Sequence, residues 1–140
     1  MKVLSFRIAD GLFGMDITHV KEINRNVEYT TVPGAADIIV GLFNMRGQVV
    51  TLFDLGSILG YTLTKKKGKG TCIILKSEQG NQNHTGFLID DANEVLDIDD
   101  DICEKPPANI DQSESKYIIK VARLQSELLQ IVDPRLIFEM

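Results

Sequence analysis

The 140-residue sequence predicts a mostly β fold of two small five-stranded β-barrel subdomains packed side by side, with short helical turns. Three observations carry this expectation. Apolar residues alternate with a period of two over short stretches bounded by turn residues. Helical spacing never lasts beyond a turn or two. A closing pattern recurs without a gap at a shift of 79 positions, where 121–124 fall on 42–45 and Val49-Val50-Thr51-Leu52-Phe53-Asp54 reappears as Leu128-Leu129-Gln130-Ile131-Val132-Asp133. Each half is then about 70 residues, the size of a small barrel. An open two-sheet sandwich is the rival arrangement.

Residues 3–9 and 13–17 alternate around Asp10-Gly11 and predict a first hairpin, with Leu4, Phe6, Ile8, Phe13, Met15 and Ile17 turned inward. Val20 and Ile23 stand at i, i+3 spacing, so 18–23 is expected as one helical turn. Residues 27–32 read as a strand stopped by Pro33-Gly34, with a turn at 35–38. The block from Ile39 to Leu55 then forms two alternating arms with Gly47 between them for the turn. Both of its faces are largely apolar, which predicts burial on both sides. Asp54 ends the second arm as an N-cap, ahead of Leu55, Ile58 and Leu59 at helical spacing. Lys65-Lys66-Lys67-Gly68-Lys69-Gly70 reads as a solvated loop that divides the single domain 1–140 into subdomains of roughly 1–64 and 71–140. Strands are expected beyond it at 71–76, 85–90, 94–99, 116–124 and 128–132, with loops at 79–84 and Pro106-Pro107 and a turn at Gln125-Ser126. Asp133-Pro134 opens a last helical turn, Asp as N-cap and Pro at the first helical position.

Composition narrows the function classes. A net charge of −5 and a pI near 5.0 argue against a surface built to hold nucleic acid or anionic lipid. Cys72 and Cys103 lack Cys-x-x-Cys spacing and are expected reduced, Cys72 as a small core residue within Thr71-Cys72-Ile73-Ile74-Leu75. Arg7 and Asp10 interrupt any signal-peptide core, and no apolar run approaches the roughly 20 residues of a membrane span, so the cytoplasm is the expected location. The acidic cluster Asp97, Asp99, Asp100, Asp101 and Glu104 lacks the EF-hand pattern, because Ile102 holds the sixth position and Ala108 the twelfth. His19 and His84 have no metal or triad partner motif, and the Asn83-His84-Thr85 sequon is a chance match. The lysine tract does not meet the P-loop pattern. With no nucleophile elbow, paired acids or dinucleotide fingerprint, the expectation is a protein with no enzymatic activity, no cofactor and no metal.

Arg46 is the charge that needs a reason. It reads as a structural ion pair with an acid such as Asp54 or Glu22, as an exposed hairpin tip, or as a partner-binding cation beside an apolar groove. Shifted by 79 positions, Arg46-Gly47 falls on Gln125-Ser126, so the repeated unit does not require the arginine. Val20 and Glu22 have bland readings of their own, core packing for the first and solvation for the second.

These segments together resemble a known family. Phe13-Gly14-Met15-Asp16-Ile17, Val20-Lys21-Glu22-Ile23, Gly41-Leu42-Phe43-Asn44-Met45-Arg46-Gly47-Gln48-Val49-Val50 and Asp54-Leu55 are similar to the CheW chemotaxis coupling proteins, as are Thr85-Gly86-Phe87-Leu88-Ile89-Asp90 and Glu94-Val95-Leu96. The resemblance implies a fold of two five-stranded barrels and a non-enzymatic adaptor. Its implied partners are the cytoplasmic hairpin tips of chemoreceptors and the regulatory domain of the histidine kinase CheA, with the membrane reached only through the receptors. Receptor binding in the family uses an apolar groove between the barrels, which by position carries over to Val20, Glu22, Gly41, Arg46, Cys72 and Ala92. Lys120 and Asp91 depart from the family pattern, each standing where Gly is common, and add side chains toward that groove. The runner-up is a small barrel binding RNA or single-stranded DNA through Lys65–Lys69, opposed by the scarcity of aromatics near that tract and by the overall charge.

Overall fold

A computed structural model describes residues 1–61, 69–77, 84–105 and 116–138. The chain runs β1 (Lys2–Ile8), β2 (Gly11–Asp16), a 3-10 turn (Ile17–His19), β3 (Val20–Glu28), β4 (Ile39–Met45), β5 (Gln48–Asp54), α1 (Leu55–Ile58), β6 (Lys69–Leu75), β7 (His84–Ile89) and β8 (Asp91–Asp97). A second 3-10 turn (Asp100–Ile102), β9 (Cys103–Glu104), β10 (Ile118–Arg123), β11 (Leu128–Val132) and α2 (Pro134–Phe138) complete it. The expected mostly β fold, with two subdomains and a few short helices, is the observed one. Among the described residues no helix is long and apolar enough to cross a membrane.

Two compact units result. One comprises Met1–His19 with Asp91–Met140 and holds a sheet of order β8-β1-β2-β11-β10-β9; the other is Val20–Asp90, with order β3-β6-β7-β5-β4. Among the described residues each contains a single parallel ladder, β2 with β11 and β5 with β7, among antiparallel ones. One stretch of chain supplies β8 and β9 at the two ends of the first sheet, and in the second the Thr30–Leu42 bridge ties the continuation of β3 to β4. Each sheet therefore curls toward closure. The match extends to single residues. Gly14 lies opposite Ile131 as Gly86 lies opposite Leu52, and Asp133 N donates to Tyr117 O as Asp54 N does to Ile38 O.

The units do not divide at residues 65–70, as the sequence reading has it. Each takes strands from both halves of the chain, because the parallel ladders join β2 to a strand of the second half and β7 to one of the first. Alternation identifies a strand but not its partner, so a boundary drawn between sequence repeats misses such an exchange.

Local differences have physical causes too. Residues 18–23 are not a helical turn: the 3-10 turn ends at His19 and β3 starts at Val20, with a break in register between Val20 and Glu22 against β6. An inserted bulge residue converts the two-residue period into an apparent i, i+3 spacing. Ile17 is 36% exposed instead of inward. β1 is buried on both faces through Val3, Leu4, Ser5 and Phe6. The rest of the inward set expected on β1 and β2 is buried as foreseen, Leu4, Phe6, Ile8, Phe13 and Met15 all being almost fully enclosed. The opposite face is buried too, where Val3 and Leu12 join Ile98, Ala122, Leu129 and Ile131 in a core cluster. On the expected face Phe6 and Phe13 stack across the ladder at 6.2 Å between ring centroids.

The β4–β5 hairpin is buried on one face, not two. Met45, Val50 and Leu52 join Val27, Tyr29, Cys72, Ile74 and Leu88 in the core of the second unit, while Val49 is 57% exposed. Asp54 is the N-cap foreseen. Its carboxylate accepts from Ser57 N at 3.3 Å and Ser57 Oγ at 2.7 Å and is nearly fully buried. Asp54→Ala is expected to cost about 1–2 kcal/mol through loss of the cap, read as a lowered urea midpoint with an unchanged m-value.

Candidate functional site

The site is built on the tip of the β4–β5 hairpin and the start of β3. Met45 and Gln48 face each other across the ladder, leaving Arg46-Gly47 as a two-residue turn. Both turn residues have left-handed backbones, φ 51° for Arg46 and φ 84° for Gly47, as a type I′ turn demands. That geometry suits the right-handed twist of the strands and is free for glycine. For arginine it costs on the order of 1 kcal/mol, because Cβ crowds the following carbonyl. Asn, Asp or Gly would be the ordinary choice.

The strained arginine is put to use. Its guanidinium reaches across to β3 and donates to both carboxylate oxygens of Glu22, at 2.6 and 3.4 Å. These hydrogen bonds, and then the Coulomb attraction of Glu22, raise the Arg46 pKa above its ordinary value. Two further contacts hold the tip. Asn44 Oδ1 accepts from Gly47 N at 2.8 Å, and Asn24 Nδ2 on β3 lies 3.6 Å from Met45 Sδ. Arg46 remains 66% exposed in its side chain and Glu22 27%, so the pair is open to solvent and to a partner. Val49, opposite Asn44 in the ladder, adds exposed apolar surface to the outer face of the hairpin.

The structure brings three of the six sequence-predicted residues to an accessible place: Arg46, Glu22 and, two positions before Glu22 on β3, the half-buried Val20. Of the ion-pair partners considered for Arg46, Glu22 is the one found; Asp54 is occupied in capping α1. The other three residues are enclosed. Gly41 is buried where β4 passes the Thr30 backbone. A β-carbon there would overlap Thr30 O and stand 2.9 Å from Thr30 C. Cys72 is fully buried in the core of the second unit, and desolvation pushes its thiol up to about 12. Ala92 is buried in β8, opposite Phe6 on β1. In its own unit Ala92 holds the place of Val20, which lies opposite Leu75 on β6, the counterpart of β1.

The two departures from the family pattern lie in the unit of β1. Lys120 on β10 pairs with Asp100 at 3.7 Å, and Asp91 is exposed at the start of β8. The counterpart hairpin differs at its tip. Leu124 N donates to Glu127 O across Gln125-Ser126, neither of which has a positive φ. Its position matching Asn44 is Arg123, which pairs with Glu104 at 3.3 Å. Sequence reasoning found Arg46 and Glu22 but missed Asn44 and Asn24. An Asn three residues ahead of a Gly is a pattern for side-chain bonding to the backbone and could have pointed to Asn44; nothing in the sequence pairs Asn24 with Met45.

A family model for the CheW-like domain matches residues 2–140. The chain is 26% identical over 141 residues to the chemotaxis protein CheW of Bacillus subtilis, covering 99% of this chain and 86% of that protein. It is 26% identical to the chemotaxis protein CheW of Treponema pallidum, with 98% and 81% covered. Among solved structures it is similar to the scaffolding protein TtCheW of Thermoanaerobacter tengcongensis, with a TM-score of 0.82, 25% identity, and coverage of 99% of this chain and 92% of that one. None of this supports the nucleic-acid reading. Lys65, Lys66 and Lys67 lie outside the described residues, and Lys69 stands 4.0 Å from Glu28.

Proposed function

This chain belongs to the CheW-like domain family, and from that premise we propose that it couples the cytoplasmic hairpin tips of chemoreceptors to a CheA-type histidine kinase. It is a non-enzymatic scaffold of chemotaxis-type signalling. The observation that carries the receptor contact is the Arg46–Glu22 pair, mounted on a turn whose strain the barrel does not require, since the matching turn in the other unit lacks it. Strained backbone positions cluster at sites of contact, which supports this reading of the charged tip. An adaptor of this kind needs a few fixed charges to set register and apolar surface to take a helix. Arg46 and Glu22 supply the first, Val20 and Val49 part of the second. Gly41 on β4 and Cys72 on β6, which pairs with β3, serve the contact from beneath by shaping the strands that carry it, whereas Ala92 lies on β8 of the other unit and has no part in those strands.

The place of action follows from the partners: the cytoplasm, at receptor arrays. Sedimentation of chemoreceptor-bearing membranes with purified kinase tests the coupling. The kinase is expected to pellet in quantity only when this protein is added. Equal pelleting with and without it would contradict the proposal.

A further inference from the structure

We infer that Asn44 is a positioning residue for the partner contact: by accepting the Gly47 amide it fixes the left-handed turn that delivers the Arg46 guanidinium to Glu22. The inference rests on the receptor-contact reading of Arg46 and deepens it.

In a two-residue turn with both φ values positive, the amide of the second turn residue points away from the ladder and has no cross-strand acceptor. Here that amide belongs to Gly47, and Asn44 Oδ1 takes it at 2.8 Å. A bond from the side chain of the residue just before the ladder's last pair closes a small ring around Met45 and Arg46. That ring is made in the left-handed geometry, so it offsets the cost of holding a non-glycine residue at φ 51°. Without it, other turn geometries compete and the guanidinium spends less time against Glu22. The apparent affinity for a partner that reads the pair then falls with the competent fraction.

Two features separate this from ordinary hairpin maintenance. The counterpart hairpin of the other unit also closes with a two-residue turn, at Gln125-Ser126, without a positive φ and with Arg123 where Asn44 stands. The bond is therefore tied to the arginine turn and is not a need of the barrel. Asn44 is itself exposed, contributing no side chain to the core cluster of its unit.

The test measures binding to chemoreceptor-bearing membranes for the full-length protein and for Asn44→Ala, Asn44→Asp, Arg46→Ala and the double variant Asn44→Ala/Arg46→Ala. Asn44→Ala is expected to bind about fivefold more weakly, the loss of one hydrogen bond's worth of turn population. Asn44→Asp, which keeps the acceptor, is expected to stay within about twofold of the parent. In the Arg46→Ala background, Asn44→Ala should cost nothing further, because its effect passes through the arginine. Hydrogen exchange of the Gly47 amide should quicken in Asn44→Ala and not in Asn44→Asp. An equal loss from Asn44→Ala with and without Arg46 would overturn the positioning role alone. Unchanged binding by Arg46→Ala would overturn both this role and the site reading beneath it. Should Asn44→Ala unfold, loss of binding by a folded Asn44→Asp would overturn the inference by itself.

Discussion

Arg46→Glu is expected to weaken binding to chemoreceptor-bearing membranes by roughly 30-fold or more, with the stability of the protein changed by less than about 1 kcal/mol. The binding loss has two sources. A planar fork of donors disappears, and a carboxylate now faces Glu22 where an attraction stood at 2.6 Å. The stability change is small because the side chain is mostly exposed and an exposed ion pair contributes little. Arg46→Gly sharpens the contrast by relieving the left-handed strain. It should match or exceed the parent in thermal midpoint while losing the contact. A variant that stabilises the fold and abolishes binding separates the site from the scaffold; a collapse of the fold with Arg46→Glu would assign the arginine to structure instead.

Gly41→Ala is expected to do the opposite, lowering stability by about 3 kcal/mol or more. The added β-carbon would overlap the Thr30 carbonyl oxygen and press on Tyr29 Cδ2 at 3.0 Å. The neighbour is backbone held by two hydrogen bonds to Leu42, Thr30 N to Leu42 O at 2.8 Å and Leu42 N to Thr30 O at 2.9 Å, so it cannot yield as a flexible side-chain end would. Chemical denaturation should show a sharply lower midpoint, and binding should fall in step with the folded fraction. A Gly41→Ala protein of parental stability that fails to bind would move Gly41 from the frame of the site into the contact itself.

What the sequence made legible and what it hid divide along physical lines. The β4–β5 and β10–β11 hairpins, the capping roles of Asp54 and Asp133, and the burial of Cys72 follow from local rules that a sequence carries in full: period, cap chemistry and apolar runs. The exchange of strands between the halves lies beyond such rules, since β1 and β2 alternate identically whichever sheet receives them. The start of β3 was hidden by its bulge, whose extra residue imitates a helical spacing between Val20 and Ile23. At the site, Arg46 was visible because a charge in an apolar block is rare, and the comparison with Gln125 showed that the fold does not need it. Its left-handed backbone was not visible, because type I′ turns are ordinarily flagged by Asn-Gly or Asp-Gly. Gly41 stood at the right position along the chain, but only the passage of β4 along the Thr30 backbone shows that it is enclosed.

The proposed coupling requires that receptor-dependent stimulation of the kinase pass through the Arg46–Glu22 tip. Autophosphorylation of a CheA-type kinase on chemoreceptor-bearing membranes, measured without the protein, with it, and with Arg46→Glu, tests that requirement most directly. Strong stimulation by the parent and little or none by a folded Arg46→Glu is the predicted result. Equal stimulation by both proteins, or none by either, would contradict it.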